Sequence, residues 1–357
     1  MTLLALPGAV DPHVHLRDME WSHKATVAQE TAAALAGGYW AVLDMPNTPP
    51  NTTTTARLAE KGGLVASQAR CDVGLYMGAD QGADGGEYAA AAERAVGLKV
   101  YCDQTTGDLL LADQATRRRH LVAWAAATAK PVAVHAEGET LAAILELVRE
   151  LRVPVHCCHI STAEEMAMLR EAKSAGLPLS VGVTPHHLFL TEDDRARLGP
   201  FGKVKPPLRT AADQAALWEG VRDGTVDTIE SDHAPHTRAE KESADPPYGL
   251  PGLETTLPLM VTAAREGRLT HDRLIELLAV NAQRRFGLVP PPETQTSVDT
   301  AASWVISDDE LRCSPGWSPF AGMRVWGRVR EVRIRGRVAF DGETVLAEPG
   351  DGKWLAT

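Results

Sequence analysis

Short apolar runs of strand character alternate along this chain with longer Ala-, Leu- and Glu-rich stretches of helical period. That is the pattern of βα units wound around a parallel sheet. Eight runs stand out in order: "GAVDPHVHL" (8–16), "YWAVLDMPN" (39–47), "CDVGLYMGA" (71–79), "GLKVYC" (97–102), "PVAVHAE" (131–137), "PVHCCHI" (154–160), "PLSVGVT" (178–184) and "VDTIESD" (226–232). Between them lie helical segments such as "KATVAQETAAALAGG" (24–38) and "GETLAAILELVRELR" (138–152), the first ending in a glycine pair of the kind that closes a helix. Eight strands with intervening helices predict an α/β fold, a (β/α)8 TIM barrel, over residues 6–290. From about residue 300 the texture changes to "WGRVREVRIRGRVAFDGETVL" (326–346), an alternating pattern with an Asp-Gly turn that predicts antiparallel strands. Because the chain begins so close to its first strand, this small appended β unit is expected to come from residues 300–357, joined by residues 1–5.

Length agrees with this picture, since 357 residues hold a barrel of about 250 with an appendage. A net charge of −11 argues against nucleic acid as a partner, because phosphate binding calls for clustered Lys and Arg. The five cysteines, with Cys157 and Cys158 adjacent and no CxxC pair, suit reduced thiols rather than a disulfide framework. "MTLLALPGAV" offers no basic segment followed by a long apolar core, and no run approaches the ~20 apolar residues of a membrane span. The expectation is a cytoplasmic protein with no membrane contact.

The chemistry starts in "DPHVHLRDM" (11–19), where His13, His15 and Arg17 occupy alternate positions. Side chains of a strand point to opposite faces in turn, so these three share one face while Val14 and Leu16 share the other. An isolated HxH also suits the polar side of an edge strand. Barrel enzymes, however, carry their catalytic groups at the C-terminal ends of the strands, and other metal-capable residues gather there. Lys99 lies in strand four, His135 and His159 end strands five and six, and Asp232 ends strand eight. Four imidazoles, a carboxylate and a lysine make chemical sense as a two-metal site. A lysine amine can join such a site after adding CO₂, because the resulting carbamate is an anion that two metals can share. Asp232 is then placed to carry protons beside a metal-activated water.

At this point the chain resembles dihydroorotase of the amidohydrolase superfamily, especially the form that is one domain of the animal multifunctional pyrimidine-synthesis protein. The resemblance runs from about Leu6 to the C-terminal strands and rests on "DPHVHLRDM", "MPNTPP", "GLKVY", "VHAE", "HCCHI", "TPHHLFL", "SDHAPHT" and "GLPGLETTLPL". It implies one zinc held by His13, His15 and Asp232, a second held by His135 and His159, and an N6-carboxylated Lys99 bridging them. It further implies that Arg17, Asn47 and His236 hold a substrate carboxylate, that Lys205 and Gly249 line the substrate site, and that Thr105 and Thr106 belong to a closing loop. The implied reaction is the reversible cyclisation of N-carbamoyl-L-aspartate to L-dihydroorotate and water. A homodimer and an association with aspartate transcarbamoylase are implied as partners.

Some positions depart from the family pattern. Lys205 stands where relatives usually have Asn or Arg, and Asp18 and Met19 stand where Glu and Pro-Gly commonly follow the first-strand Arg. Some relatives hold an additional zinc through a cysteine and an acidic residue; Cys158 is present but Gly182 occupies the acidic position, so two metals are expected. Cys158 and His159 are neighbours on a strand and should face opposite ways, and His186 and His187 read as structural. Two other functions fit less well. An allantoinase or dihydropyrimidinase-like cyclic amidase would share the metal centre but has no carboxylate for Arg17, Asn47 and His236. A non-catalytic partner of aspartate transcarbamoylase should have lost ligands, whereas all six are retained here.

Overall fold

Strands that are apolar on both sides need cover on both faces, and a parallel barrel wrapped in helices supplies it. In the computed structural model, which describes residues 2–356, every residue of the main barrel strands is buried. The chain enters through β1 (Leu3–Leu6) and then lays down β2 (Ala9–Val14), β3 (Tyr39–Asp44), β4 (Asp72–Gly78) and β5 (Gly97–Tyr101). The series continues with β6 (Val132–His135), β7 (Val155–Cys157), β8 (Leu179–Val183) and β9 (Thr228–Ile229). Strands β2 to β9 pair in parallel in sequence order, one within each of the eight predicted runs. Between β9 and β2 the ring closes through a single parallel bridge, Val14 to His233, with His15 N donating to His233 O at 2.7 Å. The architecture is therefore an α/β, TIM-barrel-like parallel barrel that is nearly closed.

Local chemistry explains the helix limits. The first predicted helix forms over Val27–Ala36, where the Thr26 side chain accepts from Gln29 N and Gly37 follows the last turn. The helix Glu139–Leu151 buries Leu141, Ile144, Leu145 and Val148 along one face and ends at Arg152, which is left-handed at φ 56°.

The appended sheet has the order β1-β10-β11-β12, built from β10 (Gln295–Val305), β11 (Arg324–Ile334) and β12 (Arg337–Phe340), all antiparallel. It starts five residues before the expected position 300 and takes in β1. The β11–β12 hairpin turns at Arg335 and Gly336, both at positive φ (54° and 76°), as a two-residue turn between twisted strands requires. The Asp341-Gly342 pair read from the sequence makes the next turn instead, with Asp341 Oδ1 accepting from Glu343 N and Thr344 N. The last strand, β13 (Trp354–Leu355), leaves the appended sheet and pairs in parallel with β4 of the barrel. All five cysteines are free and buried, and among the described residues no helix is long and apolar enough to cross a membrane.

Candidate metal centre

The sequence positions its polar groups at the C-terminal ends of β2, β5, β6, β7 and β9, and the barrel brings them together. His13 Nε2 and His15 Nε2 each lie 3.3 Å from the same oxygen of Asp232. His135 Nδ1 lies 3.1 Å from His159 Nε2, and the His13 and His159 rings have centroids 5.0 Å apart. Lys99, fully buried, points its Nζ at the Cys158 thiol at 3.2 Å. His13, His159 and Asp232 place ligand atoms within 4.8 Å of one another, and so do His13, Cys158 and Glu230.

Two of these residues sit on strained backbone. His159 (φ 37°) and Asp232 (φ 44°) are left-handed without being glycine, a conformation that persists only where surrounding structure enforces it. At His159 the enforcement is visible, because its N–H donates to Glu230 Oε1 at 2.6 Å. That turn also corrects one expectation. Cys158 and His159 lie beyond the last residue of β7, strand alternation no longer applies, and both side chains face the centre.

A second correction concerns the missing acid. Glu230, two residues before Asp232, fills the space that a side chain at Gly182 would occupy, with its Oε2 2.3 Å from the position of an added Cβ. Its carboxylate meets His156 Nε2 at 2.8 Å and stands 3.5 Å from His13 Nδ1. An acidic group therefore does stand beside Cys158, supplied by the neighbouring strand. Sequence reasoning passed over Glu230, although its two-residue offset from Asp232 was the available signal. Asp11 was missed in the same way, two residues before His13; it accepts from His13 N and Ser231 N, and burial pushes its carboxyl up to about 7.

Burial governs the electrostatics. It holds His13, His15 and His159 well below the ordinary imidazole range, helped by the charge of Lys99 at His13, of Arg17 at His15 and of His135 at His159. Neutral imidazoles are what metal coordination needs. Burial likewise lifts Asp232 to about 6, against the opposing pull of Lys99 and His135. Buried His13 Nδ1, His135 Nε2 and His159 Nδ1 have no hydrogen-bond partner, a costly arrangement in a protein interior unless something else is bound there. Orphaned nitrogens, a shared carboxylate and a buried lysine together fit a binuclear metal centre. His186 and His187 are buried as well, with His187 bridging Thr184 Oγ1 and Pro206 O.

Beside the ligands lies the rest of the pocket. Arg17, Asn47, Thr105, Lys205 and Gly249 all line it, and His236 stands directly behind Arg17, its Nε2 3.2 Å from Arg17 Nη2. Asn47 Oδ1 meets His15 Nδ1 at 2.7 Å, leaving Nε2 of that ring free toward Asp232, and its Nδ2 donates to Thr106 O. Thr106 in turn donates to Tyr248 O, tying the loop after β5 to the far rim. Lys205 pairs with Glu137 at 2.9 Å, and Glu137 also stands 3.4 Å from His135 Nε2. Arg17 is fully buried and left-handed (φ 61°); its Nε donates to Pro235 O, and its Nη1 has no partner.

Known proteins resemble the chain throughout. The family model described as "Dihydro-orotase-like" matches residues 2–116. "Multifunctional protein CAD" of Squalus acanthias is 41% identical over 98% of the chain, which spans 16% of that protein's length. A "Dihydroorotase" of Pyrococcus furiosus is 33% identical, with 96% of the chain aligned to 83% of that protein. Among solved structures, the L-hydantoinase (dihydropyrimidinase) of Arthrobacter aurescens superposes with a TM-score of 0.94 at 27% identity, covering 98% of the chain and 88% of the hydantoinase.

Proposed function

Because the chain belongs to the dihydroorotase-like family of the amidohydrolase superfamily, we propose that it interconverts N-carbamoyl-L-aspartate and L-dihydroorotate, with release or uptake of water. At the coarser level it is a metal-dependent hydrolase of the cyclic-amide type. One observation carries the finer reading: the buried, unpartnered Nη1 of Arg17 in the wall of the pocket that holds the metal ligands. A guanidinium kept dry and incompletely paired beside a hydrolytic centre suits a substrate that brings its own anion.

His13, His15 and Asp232 would hold one zinc and His135 and His159 the other, with Lys99 as a carbamate between them. When bound, the two ions polarise the ring carbonyl and make hydroxide available near neutral pH. Asp232 moves the proton. In ring opening its carboxylate takes the proton of the attacking water and returns it to the ring nitrogen as the C–N bond breaks; ring closure runs the same transfer in reverse. Asn47 keeps the His15 ring turned with Nε2 toward Asp232. Arg17 orients the substrate carboxylate, which sets the ring amide against the ligand cluster.

A hydantoinase-like cyclic amidase is the second reading, favoured by the 0.94 superposition. A substrate panel separates the two. For the zinc-loaded protein, kcat/KM for dihydroorotate should exceed that for dihydrouracil, hydantoin and allantoin by at least about 10³-fold, since a site with polar groups left unpaired rejects the ring that lacks their partner. Equal turnover of dihydrouracil and dihydroorotate would reject the dihydroorotase reading while leaving the cyclic amidase standing.

A further inference from the structure

Behind Arg17 the structure packs an unusual number of hydrogen-bond donors. Lys24, 7% exposed, sets its Nζ 3.2 Å from His236 Nδ1, and Arg17 Nη2 lies 3.2 Å from Nε2 of the same ring. Both cations rest over Trp21, Arg17 at 5.1 Å and Lys24 at 4.5 Å from the ring centroid. Glu240 faces Lys24 and His236, with its Oε1 3.0 Å from Lys24 Nζ and its Oε2 3.9 Å from His236 Nδ1, while Asp44 and Asp232 act on the Arg17 side of the group. Lys24 is thus paired with one carboxylate, which is itself partly exposed.

The donor count fixes the tautomer. An ammonium can only donate, so His236 Nδ1 must accept from Lys24 and the ring hydrogen resides on Nε2. That Nε2–H points at Tyr248 O, 2.9 Å away. Arg17 Nη2, which also only donates, then faces another N–H with no acceptor between them, and Arg17 Nη1 has no acceptor at all. Cationic donors left without an acceptor at one wall of the pocket are the complement of an anion.

We propose that Lys24 is a positioning residue that selects carboxylate-bearing rings: from behind His236 it locks the Nε2–H tautomer and adds a second positive charge to the Arg17 site. It does not line the pocket, so it acts through His236 and Arg17 rather than by touching substrate. The inference deepens the reading above and rests on this pocket receiving an anionic ring. Glu240 counts as the competing anion, which gives the idea two signs to test.

The experiment uses the zinc-loaded full chain and its Lys24→Met, Lys24→Arg and Glu240→Gln variants. Steady-state kinetics on dihydroorotate are paired with calorimetric binding of orotate, a ring with the carboxylate, and of uracil, the same ring without it. Lys24→Met should raise KM for dihydroorotate and Kd for orotate about tenfold or more, hold kcat within about threefold, and leave uracil binding unchanged. Lys24→Arg should recover most of the orotate affinity. Glu240→Gln, which keeps the cap on Thr237, should tighten orotate. Equal losses for orotate and uracil, or an orotate Kd indifferent to Lys24→Met, would overturn the proposal. Should Lys24→Met fail to fold, unchanged or weaker orotate binding in Glu240→Gln overturns it instead. A parent that binds orotate but does not process dihydroorotate refutes the reaction and still tests Lys24 through binding; a parent that binds orotate no better than uracil refutes both.

Discussion

Replacing Gly182 by alanine is a one-methyl change with a large expected cost. An added Cβ would stand 2.3, 2.5 and 2.7 Å from Oε2, Cδ and Oε1 of Glu230, distances that real Cβ atoms do not tolerate. Glu230 has no room to retreat, because it is fully buried and held by His156 Nε2 at 2.8 Å and His159 N at 2.6 Å. Overpacking costs about 1–3 kcal/mol, and pulling the carboxylate off one charge-assisted partner about 1.5–3 more. We therefore expect Gly182→Ala to destabilise by roughly 2.5–6 kcal/mol, the sum of those two costs. It should also speed zinc loss to a chelator, since the left-handed turn at His159 loses its anchor. The assay is a double-mutant cycle in urea at fixed free zinc, with Gly182→Ala measured in the parent and in a Glu230→Ala background. In the second background the clashing group is gone, so the added methyl should cost under about 1 kcal/mol, giving a coupling of at least about 1.5 kcal/mol. Equal costs in the two backgrounds would refute the idea that Glu230 fills the space left by Gly182.

Three further outcomes are expected. Asp232→Asn should lower kcat by about 10²-fold or more while changing KM far less, measured in both reaction directions; near-parental kcat would remove Asp232 from proton transfer. Lys99→Ala should lose bound metal and activity together, and the intact mass of the parent should include one added CO₂; an unmodified, fully active parent would sink the bridging role. Burial raises Glu254 from 4.5 to about 7, against the backbone N–H groups of Arg312 and Cys313. The folded protein thus keeps a proton that the unfolded chain releases between those values, so this contribution to stability is full below pH 4.5 and lost as pH rises through 7. Glu254→Gln should flatten Tm against pH across that window, and an undiminished slope would contradict the assignment.

The barrel was legible in the sequence because strand and helix periods are local: each of β2 to β9 falls inside an apolar run that can be read without knowing its neighbours. The same locality made the ends of those runs legible, and with them His13, His15, Lys99, His135, His159 and Asp232, whose convergence follows from the rim geometry of any such barrel. What the sequence could not decide were relations between segments distant in the chain. Alternation along β7 put Cys158 and His159 on opposite faces, but the left-handed turn enforced by Glu230, 71 residues away, turned both toward the centre. Gly182 read as the absence of an acid until the adjacent strand was seen to place one there. Lys24, read only as the start of a helical segment, and His236, implied as a substrate contact, are 212 residues apart, and only the fold brought them into one group. The final strand joined β4 instead of the appended sheet for the same reason, since pairing partners are chosen by which edge lies within reach after the chain has folded. Period and residue type are properties of a segment, whereas charge balance, tautomer and steric fit depend on what the fold sets beside it.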